Sequence, residues 1–88
     1  MNKFSKSHSN TMAGLRNWYQ KMFEELGWMV IAKSRGYDDK IMCYKNSLYR
    51  LKEAIEYRLG HHEPHLKHDL MVMLGNTNIL INHVHHDF

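Results

Sequence analysis

Seven of the eight histidines in this 88-residue chain fall in its last third: His61, His62, His65 and His68 around the single proline, then His83, His85 and His86. Imidazole nitrogens bind Zn²⁺ and Ni²⁺, so the first group forms a candidate metal site. His65 and His68 stand one helical turn apart, and His62 or Glu63 can reach back toward them. This spacing is permissive but not specific. Structural zinc takes four fixed ligands, and a solvated helix start accounts for the same polar residues. Any Zn or Ni taken up here is read as adventitious, and no cofactor is expected. A helix running from His68 to His85 spans about 26 Å, so the two histidine groups cannot share one ion within the chain. They do make its charge pH-sensitive, because imidazole titrates closest to neutrality.

Other chemistry is sparse. Glu63 and Asp69 suit general acid–base work by type, but such work needs a pocket that excludes water. Their position near a helix start is explained by the helix dipole. Cys43 is the only cysteine, which excludes an intrachain disulfide and a CxxC site. It reads as a semi-buried small hydrophobe. No glycine-rich phosphate loop, GxSxG elbow or HExxH pair occurs. No catalytic residue or small-molecule substrate is therefore assigned, and the chain is not read as an enzyme. The formal charge of +3 comes from 12 Lys and Arg against 9 Asp and Glu, without a dense basic block. Lys33, Arg35 and Lys40, with Tyr37 and Tyr44 nearby, are candidate nucleic-acid contacts. A recognition helix would carry more cations on one face.

The elements that position these residues follow from apolar spacing. Residues 1–11 are rich in Ser, Asn and Lys and read as a flexible arm anchored only by Phe4, with one helical domain over 12–88. From Ala13, Leu15, Trp18, Tyr19, Met22, Phe23 and Leu26 recur every three or four residues, the stripe of an amphipathic helix. The helix is expected to continue through Gly27 and end near Arg35, where Gly36 terminates it. Asp38 or Asp39 is the expected N-cap of a second helix over about 39–59. Its stripe is Ile41, Tyr44, Leu48, Leu51, Ile55 and Leu59. HHEP forms a loop, and Leu66, Leu70, Met73, Thr77, Leu80 and Val84 mark a third helix, with a weak point at Gly75–Asn78. The fold class is all-α: a small three-helix antiparallel bundle, or a helical hairpin plus an N-terminal helix. Reading WMVIA and NILINHV as two paired strands is the alternative, and such a pair would be marginal alone.

LGWMVIAKSRG is the unusual stretch. Leu26, Met29, Val30 and Lys33 continue the core stripe of the first helix. Trp28 and Ile31 instead fall on the line of Asn17, Lys21 and Glu24, the face that was polar two turns earlier. The helix thus becomes apolar nearly all round, and something must cover Trp28 and Ile31: the third helix or a second molecule. Five methionines, Met22, Met29, Met42, Met71 and Met73, lie on or beside the stripes, where they suit irregular packing or adaptable contacts. Met71 and Met73 cannot both face one core. The longest apolar run is too short to span a bilayer, and the N-terminus lacks the apolar segment of a signal peptide.

The run FEELGWMVIAKSRG, preceded by LRNWY and followed by KIMCYKNSLYRLKEAI, resembles small helical proteins of large double-stranded DNA viruses of microbes, including tailed phages of marine cyanobacteria. The likeness rests on Trp18, Tyr19, Phe23, Gly27, Trp28, Met29, Ala32, Lys33 and Gly36 and extends over about residues 15–88. It implies a viral origin and a virion role, with no catalytic residues to carry over. The expectation is a non-enzymatic interaction protein in the virion or host cytoplasm, capsid-associated, that cements or decorates larger subunits. Its contacts to a protein partner or a second copy would be Trp28, Ile31, Phe4 and Trp18. The alternatives are a metal- or pH-responsive regulator using the first histidine group, and a nucleic-acid-binding accessory factor.

Overall fold

Each apolar stripe becomes one helix in the computed structural model, which describes residues 12–61 and 64–88. The expected arm over 1–11 with Phe4, and His62 and Glu63, lie outside the described residues. Helix α1 is Met12–Ser34, α2 is Asp38–Gly60 and α3 is Lys67–Asp87, entered through a short 3₁₀ turn at Pro64–Leu66. Among the described residues there is no strand, so WMVIA and NILINHV are both helical. α1 passes through Gly27 without a break. α3 likewise runs straight through Gly75–Asn78. There the polar side chains find partners: the fully buried Thr77 hydroxyl donates to the Met73 carbonyl at 2.8 Å, and Asn76 Nδ2 donates to the Tyr19 hydroxyl at 2.8 Å.

The turn between α1 and α2 is a Schellman motif. Gly36 takes φ 75°, its N–H donates to the Lys33 carbonyl at 3.1 Å, and the Tyr37 N–H donates to the Ala32 carbonyl at 2.8 Å. The motif starts α2 one residue earlier than the sequence suggests. Tyr37 takes the cap position without a side-chain bond, and Asp38 and Asp39 stand in the first turn, beside the positive end of the helix dipole.

α2 is the central helix, antiparallel to α1 and α3, which run parallel to each other. One cluster holds all three, with Leu15 and Met22 from α1, Leu48, Leu51 and Ile55 from α2, and Leu70, Leu80 and Val84 among the α3 members. At one end Arg16 pairs with Asp69 at 3.1 Å. At the other, Lys33 donates to the Asp87 carbonyl and lies 5.7 Å from the Phe88 ring centroid, a cation on the negative end of α3. Two stripe members depart from expectation: Phe23 and Val30 are about half exposed, because α3 covers only part of that side of α1. The methionines divide as well, with Met22 and Met73 buried and Met42 and Met71 turned outward.

Candidate protein-interaction groove

The face of α1 that turns apolar is left open. Trp28 is 66% exposed and Ile31 41% exposed, and α3 covers neither. Both line a groove of about 650 Å³ between the C-terminal half of α1 and the N-terminal half of α2. Small residues are part of its lining, Cys43 and Ser47 on α2 and the buried Ala32 on α1. Larger side chains there would fill the space, as they do further along α2. Cys43 is exposed on this surface and not semi-buried as its position in the sequence suggested.

Tyr44 anchors the floor. Its hydroxyl donates to the Met22 carbonyl at 2.5 Å, tying α2 to α1. Burial, and then the nearby Glu25 carboxylate, push the phenol up from 10.0 to about 12. The Schellman turn folds Tyr37 back so that it too lines the groove. Around this apolar floor stand Glu25 and Asp39 with Arg35 and Lys40, two charges of each sign.

The other sequence candidates divide. Trp18 is half buried against the core, and its indole N–H donates to Ser47 Oγ at 3.1 Å, so it braces the inner end of the groove. Of the three cations considered for nucleic acid, Arg35 and Lys40 share the groove with acids, whereas Lys33 is engaged at the end of α3. His61 donates through Nδ1 to the Tyr57 carbonyl at 2.9 Å, and its ring stacks on Tyr57 at 4.2 Å. His65 is exposed, and His68 lines a second groove between α1 and α3 beside Phe23 and Val72. Among the described residues no three His, Cys, Asp or Glu are grouped to hold a metal ion; His62 lies outside them. In the last turns of α3, His83 Nδ1 pairs with Asp87 at 2.8 Å and His85 bonds the Tyr49 hydroxyl.

No helix among the described residues is long and apolar enough to cross a membrane. No family model matches the chain, and searches of curated proteins and of solved structures find no match. Glu25, Ala32, Cys43 and Ser47 were missed by sequence reasoning. The available signal was Cys43 and Ser47 at i and i+4, two small residues on one face of an otherwise bulky helix.

Proposed function

We propose that the chain is a non-enzymatic interaction protein that binds protein through the α1–α2 groove. The observation that carries this reading is Trp28, a large aromatic 66% exposed beside an apolar groove, whereas Trp18 packs partly buried against the core. Aromatic anchors next to concave apolar surface are the usual centre of a protein interface. The setting we propose is a virion, where the chain cements or decorates larger subunits; the support for it is the likeness of FEELGWMVIAKSRG to small proteins of large DNA viruses.

Two measurements test this. Mass spectrometry of purified particles is expected to find the chain, and its absence would remove the virion setting. The variant Trp28→Asp with Ile31→Asp is expected to lose retention on particles while keeping its helical circular dichroism. Full retention by the folded variant would show that the groove is not the contact.

A further inference from the structure

Along α1 the lining of the groove has an order that fits a second copy of itself. Glu25, Trp28 and Ala32 follow one another at intervals of three and four on one face of α1, and Arg35 continues that line in the turn just past Ser34. The stripe starts with an acid, ends with a base, and is apolar between. Glu25 and Arg35 are separated by about 15 Å of helix, and the midpoint falls at residue 30, in the middle of the apolar part. On α2, Asp39 and Lys40 line the groove near its turn end and offset each other, so Arg35 sets the sign there.

We propose that the groove is occupied by α1 of a second copy of the chain, antiparallel to the first about a two-fold axis near residue 30. This inference rests on the reading of the groove as a protein-binding surface and names its occupant. The two-fold places Glu25 opposite the other copy's Arg35 at both ends of the contact, which is the self-complementarity an isologous interface requires. It also sets Ile31 against the other copy's Met29, apolar on apolar. The parallel alternative brings Glu25 to Glu25, Arg35 to Arg35 and Trp28 to Trp28, with like charges at both ends.

Charge reversal with mixing tests the arrangement, using the purified full-length chain in analytical ultracentrifugation. The unmodified chain is expected to pass from monomer to dimer between about 5 and about 500 μM. Glu25→Lys alone and Arg35→Glu alone each oppose like charges twice across the two-fold, and each is expected to weaken the dimer roughly tenfold or more. An equimolar mixture of the two variants restores opposite charges at both ends. So does the chain carrying both substitutions, and both are expected to recover the original affinity within about threefold. Helical circular dichroism checks that each variant folds. As a second readout, alkylation of Cys43, which lines the groove, is expected to slow as the dimer forms. A chain that stays monomeric over this range would overturn the inference, as would a dimer indifferent to both reversals or one that the swap fails to recover. The wider reading is decided separately: a monomer that still binds particles through Trp28 and Ile31 keeps the groove as an interface and loses only this occupant.

Discussion

Two seams run along α2, and they are filled differently. In the shared cluster, Leu48, Leu51 and Ile55 of α2 meet large partners such as Leu70, Leu80 and Val84 of α3, and each of these is at most 4% exposed. Toward the second half of α1 the same helix offers Cys43 and Ser47 beside a buried Ala32, and a groove stays open beside an exposed Trp28. Large residues on both sides of a seam close it and hold the fold together. Small residues flanked by large outward-facing ones give up local packing and create a surface on which a partner can dock.

That contrast can be broken from either side. Leu51→Ala empties the centre of the closed seam and is expected to destabilise the chain by about 2–5 kcal/mol, read as a lower midpoint in urea. Tyr44→Phe removes the hydroxyl that ties the groove floor to the Met22 carbonyl, an expected loss of about 1–2 kcal/mol. Because the folded-state phenol titrates at about 12 and the unfolded one at 10.0, its contribution is fully present below pH 10 and is lost as pH rises through 12. Between pH 10 and 12 the original chain should therefore lose stability that the Phe variant keeps, read from alkaline unfolding curves of the two. Gly36→Ala forces a side chain into a backbone with φ 75° and is expected to cost about 1 kcal/mol by thermal melting. The smallest effect is expected at the rim of the groove. Trp28→Asp with Ile31→Asp should change monomer stability by only about 0.5 kcal/mol, because neither side chain belongs to the buried cluster. A loss comparable to that of Leu51→Ala would mean that the run is core after all and would erase the contrast.

Much of the fold was legible along the chain. The stripe Ile41, Tyr44, Leu48, Leu51 and Ile55 is the buried face of α2, and Leu70, Met73, Thr77, Leu80 and Val84 lie on the buried face of α3. Periodicity reports a buried face directly when a helix is packed along its whole length. It was less informative for α1, where Phe23 and Val30 fit the stripe yet stay half exposed. A wheel drawn for one helix does not say how far its neighbour reaches. Residues of weak helix propensity at Gly75–Asn78 suggested a bend, and the bonds from Thr77 and Asn76 hold the helix through them.

The candidate site was half visible. Trp28 and Ile31 stood out because they are apolar on a line of Asn17, Lys21 and Glu24, a contrast internal to one helix. By itself, then, the sequence determined the helices, the closing glycine at 36 and an apolar face in excess of what one core line needs. Which side of that face is covered, and that Cys43 and Ser47 line one groove with Trp28, Glu25 and Arg35, was decided only by tertiary packing. The physical reason is that a groove belongs to two helices at once. Its width depends on the side chains each presents at one level, and residues distant in sequence reach that level only when the turn at Gly36 sets the register between them.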